Sequence, residues 1–167
     1  LFVANMTDKT STDNGGTVII GTDGTRWQRM SEQPILADFG GRNDESTPVN
    51  EAIARMTTAV GYIKIGKGVH KLDTSTIAVP LKFLDGGALT CNVGQTITIQ
   101  REISTTPDDQ YIFRGDGEYV LSHNTTGGEN LRQIRVSWFG ARTHPYDTVD
   151  QAPAIAKAIR AMGNSRE

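Results

Sequence analysis

The chain carries one motif twice. Ile35, Leu36, Ala37, Asp38, Phe39, Gly40 and Gly41 lead through a polar turn to a segment holding Ala52, Ile53, Arg55 and Met56. Ile134 to Val136 and then Trp138, Phe139, Gly140 and Ala141 lead to one holding Ala158, Ile159, Arg160 and Met162. Each copy reads as a short strand, an aromatic and glycine break, a loop and an amphipathic helix. The offset between Gly40 and Gly140 far exceeds the roughly 20 to 50 residues of a solenoid repeat, and two copies do not make an array. The doubling therefore predicts two domain beginnings.

The residues around these motifs predict short elements. The polar, aperiodic stretch 1–12 reads as a flexible arm. Thr17 to Ile20 and Arg26 to Met30 read as a hairpin about Thr22, Asp23 and Gly24. Val49, Ala52, Ile53, Met56 and Val60 place a helix over 48–60. Thr47 is its expected cap, Pro48 its first residue, Glu51 lies at its positive end and Gly61 closes it. Beyond it the pattern is β. Ile63 and Ile65 flank Lys64, and Val93, Ile97, Ile99 and Ile103 share one face. Tyr111 to Phe113 and Tyr119 to Leu121 are short strands, with turns at Gly66 to Gly68, Asp85 to Gly87 and Gly115 to Gly117. A second helix begins near Asp150, its cap, so that Pro153 falls where a missing N–H costs nothing. Its stripe of Ala152, Ile155, Ile159 and Met162 is expected against a core, and Gly163 with Asn164 closes it.

Apolar residues make up 37% of the 167, below the roughly 45 to 50% of ordinary domains, so the core is expected to be thin or completed by other chains. The 18 glycines exceed the ~12 that average usage supplies, which favours short strands and many turns. A net charge of -2 with scattered lysines and arginines provides no footprint for nucleic acid or an anionic membrane. No run reaches the ~18 apolar residues of a membrane span, and Leu1 to Ala4 is too short for a signal-peptide core. Cys91 stands alone, which forbids an internal disulfide and reads as a small buried residue.

Catalytic patterns are absent from this reading. The neighbouring carboxylates Asp44 with Glu45 and Asp108 with Asp109 sit in turn contexts, whereas glycosidases oppose two carboxylates about 5 to 10 Å apart. His70, His123 and His144 lack ligand spacing, so neither metal nor cofactor is expected. Gly66 and Gly68 precede a strand and form a turn, not a phosphate loop. The glycosylation spacings Asn5 with Thr7 and Asn124 with Thr126 are read as chance. Trp27 and Trp138 are the large aromatics; sugar stacking is open to both, and a place in a core or trimer contact is preferred.

The motif pair resembles a family. A strand ending in Trp-Phe-Gly-Ala or Asp-Phe-Gly-Ala, a loop of Asp and Thr and an Ala-Ile helix is similar to the opening of the pectate-lyase-like β-helix domains of bacteriophage tailspikes. Ile65 to Val69 resembles that family's Ile-Pro-x-Gly-x-Tyr turn, with Gly66 in place of proline. Gly94 to Ile99, Ile103 and Tyr111 to Gly117 resemble the later stretch that leads to the Trp-Phe-Gly-Ala motif. Arg26 and Trp27 after an Asp-Gly turn resemble virion-attachment ends of phage fibres and spikes. The resemblance covers about Gly24 to Met162, with Gly41 replacing the usual alanine.

It implies a mainly β (α+β) chain of small domains with two short helices, homotrimeric, whose C-terminal end is the capping start of a right-handed parallel β-helix. Too few strands follow the first motif for a long β-helix. The expected division is therefore a flexible arm over 1–12, a virion-attachment domain over 13–94, a small β connector over 95–135 and the start of the β-helix over 136–167. The expected role is a non-catalytic adaptor in the phage tail that anchors a trimeric tailspike to the baseplate or another tailspike. Host surface polysaccharide would be met by a further C-terminal domain. The alternative is a carbohydrate-binding or depolymerase fragment. Arg26, Trp27, Phe39, Trp138 and Phe139 are the expected partner or trimer contacts.

Overall fold

The computed structural model describes residues 1–30, 33–108, 110–121, 134–141 and 150–163. The chain opens with β1 (Phe2–Asn5), β2 (Val18–Ile20) and β3 (Arg26–Arg29), an antiparallel sheet in the order β1-β3-β2. The expected hairpin joins β2 to β3. Gly24 adopts φ +79, and the Asp23 carboxylate accepts the Thr25 N–H at 2.9 Å. The arm expected over 1–12 is replaced by a paired strand, since Phe2–Asn5 lies residue for residue against Arg26–Arg29. Four residues are too few to display a period, and the polar run behind them is tied down by local Asn and Asp hydrogen bonds.

A 3-10 turn at Leu36–Phe39 follows, then β4 (Asp44–Pro48) and α1 (Asn50–Val60). The turn stands where a short strand was expected, because the Asp38 carboxylate accepts the Ile35 N–H at 2.9 Å and curls the chain. Thr47 does not cap α1. Its N–H and hydroxyl both donate to Asp44, at 2.8 and 3.1 Å, and the residue before a proline is held extended, so Pro48 ends the strand instead. Gly61 closes the helix as expected, at φ +71 with its N–H on the Thr57 carbonyl. Ala52, Ile53 and Met56 are buried in the core beside Leu36 and Phe39.

From α1 the chain winds. β5 (Ile63–Ile65), β6 (Gly68–Lys71) and β7 (Ser75–Ile77) make one turn, and β8 (Leu81–Phe83), β9 (Gly87–Cys91) and β10 (Thr96–Ile99) the next. β11 (Ile103–Thr105), β12 (Phe113–Gly115) and β13 (Glu118–Leu121) make a third. Strands of equal rank stack in parallel into three sheets, β5-β8-β11, β4-β6-β9-β12 and β7-β10-β13. The result is a parallel β-helix of three turns. Its interior is built from registered columns: Ile63 on Leu81 on Ile103, His70 on Leu89 on Phe113, and Ile77 on Ile99 on Leu121. Each fully buried Leu, Ile or Phe in such a column contributes about 1.5 to 3 kcal/mol.

The ladders run unbroken across residues 94 and 95, where the sequence reading divides an attachment domain from a connector. The strands thought too few for a β-helix are therefore its turns. Those with no counterpart in the sequence reading, β7, β8 and β9, are only three to five residues long, while alternation needs about four to eight residues to register. Val93, expected inside with Ile97, Ile99 and Ile103, is exposed in the bend before β10, and the other three are buried.

A second 3-10 turn, Val136–Phe139, and α2 (Ala152–Gly163) follow. Asp150 caps α2 as expected, accepting the Ala152 N–H at 2.9 Å. The expected orientation is reversed. Ala158 and Ala161 are buried, with the helix packed on β13 and on the second 3-10 turn, and Ile155, Ile159 and Met162 face outward. Alanines let the helix approach the third turn closely, and Lys157 Nζ holds it there by donating to the Gly115 carbonyl at 2.7 Å.

Candidate attachment surface

The N-terminal sheet has two unlike faces. Asn5, Arg26 and Gln28 share one face, over which the loop after β1 folds. Asn5 Nδ2 donates to Gln28 Oε1 at 3.1 Å, Gln28 Nε2 to Asp8 Oδ2 at 3.0 Å, and Arg26 Nε to the Ser11 carbonyl at 2.8 Å. The loop keeps its shape through carboxylates that accept backbone N–H groups. Donation from the Ser11 N–H, with further bonds from the Ser11 hydroxyl and the Thr10 N–H, lowers the Asp8 carboxyl to about 2. Arg26, expected to meet a partner, is thus half-buried and occupied within its own domain.

The other face carries Phe2, Ala4, Ile19, Trp27 and Arg29. Trp27 is 41% exposed, with Ile19 exposed beside it, so this expected contact residue does lie at the surface. The Arg29 guanidinium sits 4.8 Å from the centre of the Phe2 ring, donates to the Gly16 carbonyl at 2.9 Å and pairs with Asp38 at 2.8 Å. Asp38 therefore holds the 3-10 turn with one oxygen and the N-terminal sheet with the other. The sequence reading took Asp38 only as part of the motif and Arg29 only as part of a strand, because nothing local links residues nine apart across two elements.

The sheet edges also differ. On β2 the Val18 N–H is taken by Asn14 Oδ1 and the Ile20 N–H by Asp13 Oδ2, both at 3.0 Å. The Asp13 carboxyl is lowered first by the Ile20 N–H and then by that of Gly15. This edge is closed by side chains, a device that stops further strands from adding. β1 forms the opposite edge of the sheet.

The remaining expected contacts lie inside. Phe39, Trp138 and Phe139 are buried in the core of the chain. Phe113 gathers the second aromatic pair, with Trp138 edge-on at 6.3 Å and Phe139 at 5.2 Å between ring centres, and with Tyr119 at 4.7 Å. Large rings fill the end of a narrow β-helix, so Trp138 takes the core place that was one of its two preferred readings.

The titratable groups are held mostly by local hydrogen bonds. Asp44 accepts the N–H groups of Thr47 and Ser46, which hold its carboxyl well below the usual carboxylate range. Asp108 is paired with Arg135 at 3.1 Å, while Asp109, His123, His144 and Asn124 lie outside the described residues. His70 is buried between the carbonyls of Arg42, at 2.8 Å, and Gly66, at 3.4 Å, and burial pushes its imidazole below the ordinary value. Among the described residues no group of three His, Cys, Asp or Glu is placed to hold a metal, and no helix is long and apolar enough to cross a membrane. A groove of about 450 Å³ runs over the outer face of β5, β8 and β11, lined by Gln33, Tyr62, Lys64, Lys82, Glu102 and Ser104 among others. Lys64 donates to Gln33 there at 2.8 Å.

Residues 1–32 match the family model of the phage tail protein small four-stranded β-sheet domain. They are a phage tail domain. Its described part contributes the three strands β1, β3 and β2, and the match places the chain in the phage tail. No curated protein matches the chain. Among solved structures the chain is similar to the tailspike protein of Acinetobacter baumannii phage AM24, at 19% identity and a TM-score of 0.47, covering 73% of this chain and 27% of that one. It is also similar to Pantoea stewartii WceF, a glycan biofilm modifying enzyme with a bacteriophage tailspike-like parallel β-helix fold. There the identity is 16% and the TM-score 0.43, over 71% of this chain and 23% of that one. The chain spans about a quarter of the length of these structures.

Proposed function

We propose that the chain is the non-catalytic anchor of a homotrimeric tailspike. In this reading the tail domain fixes it to the baseplate or to another spike, and the β-helix leads toward a part of the protein that acts on host surface polysaccharide. The observation that carries the reading is a phage tail domain clamped, through Arg29 and Asp38, directly onto a parallel β-helix. A rigid joint of this kind suits a part that transmits load and does not turn over substrate. The exposed face of Ile19 and Trp27 is the surface by which copies, or the virion partner, would cover the sheet, and β1 is the edge on which a further strand would add. The second motif would begin a further β-helix, with α2 as its cap.

Light scattering coupled to size exclusion, with capture of baseplate or spike proteins from disrupted virions, tests this. A trimer at micromolar concentration whose capture is lost on deleting residues 1–32 is expected. A stable monomer that captures nothing would overturn it.

The groove over β5, β8 and β11 favours a second reading, carbohydrate binding. Its lysines, Tyr62 and Gln33 suit hydroxyl groups. Glu102 is the one carboxylate among the residues lining it, whereas hydrolysis of a glycosidic bond ordinarily needs two. Polysaccharide retained by the chain without release of reducing ends would favour this reading over the anchor.

A further inference from the structure

The outer face of β5, β8 and β11 is built from two registered rows. Ile63, Leu81 and Ile103 form one inward column, so by strand alternation the residues on either side of it point outward. On one side Lys64, Lys82 and Ser104 are aligned. On the other stand Tyr62, Pro80 and Glu102. The bonds from the Ile63 N–H to the Pro80 carbonyl and from the Leu81 N–H to the Glu102 carbonyl carry the register through them. The groove of about 450 Å³ is lined by all six. That is the size of an ordinary small-molecule site, ~300 to 1,000 Å³.

Its charges are unevenly placed. Lys64 and Lys82 stand side by side on adjacent strands, about 4.8 Å apart at the backbone, where like charges oppose each other. Lys64 is steadied by Gln33 at 2.8 Å. Lys82 is exposed, and among the described residues no hydrogen bond or ion pair ends on it. A carboxylate has two oxygens and can accept from both ammonium groups at once, which relieves their repulsion. Of the six residues Glu102 alone is acidic, and it stands in the other row from the lysines. It turns an anion away from its own end and can accept hydroxyl groups there. Tyr62 and Pro80 form an apolar strip in the same row, on which the C–H face of a sugar ring can pack.

We propose that this groove is a binding site for an acidic sugar, a hexuronate unit whose carboxylate bridges Lys64 and Lys82. Its ring lies on Tyr62 and Pro80, and its hydroxyl groups face Glu102 and Ser104. The inference rests on the carbohydrate reading of the groove and adds to it the charge and orientation of the ligand. No bond is broken in it. It is independent of trimerisation and of attachment through the tail domain.

Titration of the 167-residue chain with sodium glucuronate, glucose and sodium acetate, followed by backbone amide NMR shifts, separates the parts of the ligand. Glucuronate is expected to move the Tyr62, Lys64 and Lys82 amides saturably and to bind about tenfold more tightly than either glucose or acetate. Lys82→Glu should abolish this binding without disturbing the rest of the spectrum, since the side chain is exposed. Lys67→Ala, at an exposed lysine outside the groove, should leave it unchanged. An oligomer of glucuronate that binds more tightly than the free sugar supports a unit within a polysaccharide, and equal affinity supports the free acid. Equal binding of glucose and glucuronate would overturn the proposal and leave the carbohydrate reading standing. Acetate binding as tightly as glucuronate would reduce the groove to a site for any carboxylate and overturn both, as would no binding of either sugar.

Discussion

Gly16 lies against the ring of Phe39 so closely that a methyl group at its Cα would overlap the ring atoms. This contact and the pair of Arg29 with Asp38 set the tail sheet on the first 3-10 turn, so the glycine is a condition of the joint between the two parts.

Replacing Gly16 by alanine is expected to destabilise the chain by about 1 to 3 kcal/mol, since overpacking a filled contact forces its neighbours off their minima. Thermal unfolding monitored by Phe and Trp signals measures this. An unchanged midpoint would show that the sheet can ride up on the ring without loss.

Asp38→Ala removes acceptors from the Ile35 N–H and from Arg29 together. A loss of about 1 to 3 kcal/mol is expected, because the N–H is left without its partner. A double-mutant cycle with Arg29→Ala isolates the ionic part, which for two partly exposed side chains is expected to be about 1 kcal/mol or less. Additive losses would mean that the pair contributes through geometry alone.

Phe113→Ala empties the centre of an aromatic group formed with Phe83, Tyr119, Trp138 and Phe139. A loss of about 3 to 5 kcal/mol follows from the cavity, and urea denaturation gives the value directly. Tyr111→Ala nearby, at an exposed ring, should cost far less.

Stability should fall as pH drops below about 6.5 because of His70. Burial is the first cause lowering its imidazole below 6.5, and the carbonyls of Arg42 and Gly66 oppose it. The folded chain therefore keeps the ring neutral where the unfolded chain takes up a proton. The contribution is complete above the unfolded value and is lost as pH falls through the folded one. Denaturation midpoints from pH 8 to pH 5 measure the slope, and His70→Gln should flatten it.

Asp8 governs a more acidic window. Its carboxyl lies at about 2 against 3.8 for the free group, chiefly through the Ser11 N–H. The stabilisation is complete above 3.8 and disappears as pH falls toward about 2. The Trp27 fluorescence of the tail sheet should report the loop loosening in that range, and Asp8→Asn should remove the dependence.

Much of the local structure was legible because its causes are local. Asp23 with Gly24 specified a turn, Gly61 ended α1 at positive φ, and Asp150 capped α2. The errors share one cause, which is distance along the chain. Phe2–Asn5 was read as an arm because the strand that orders it lies beyond two loops at Arg26–Arg29. Phe39, Trp138 and Phe139 were read as contacts because their type, and not their neighbours, was visible. Trp27, for which a place in a core or a trimer contact was preferred, lies exposed on one face of the tail sheet.

The sequence by itself determined the paired motif, the hairpin, the two helices and the mainly β character, all of which follow from turn chemistry and short-range periodicity. The tertiary structure alone decided that the middle of the chain is a parallel β-helix, since its ladders join residues about 20 apart along the chain through backbone groups that every residue carries. It also decided which apolar face of α2 is covered. The pattern of side chains shows that a face is apolar, but burial depends on what the rest of the fold brings against it.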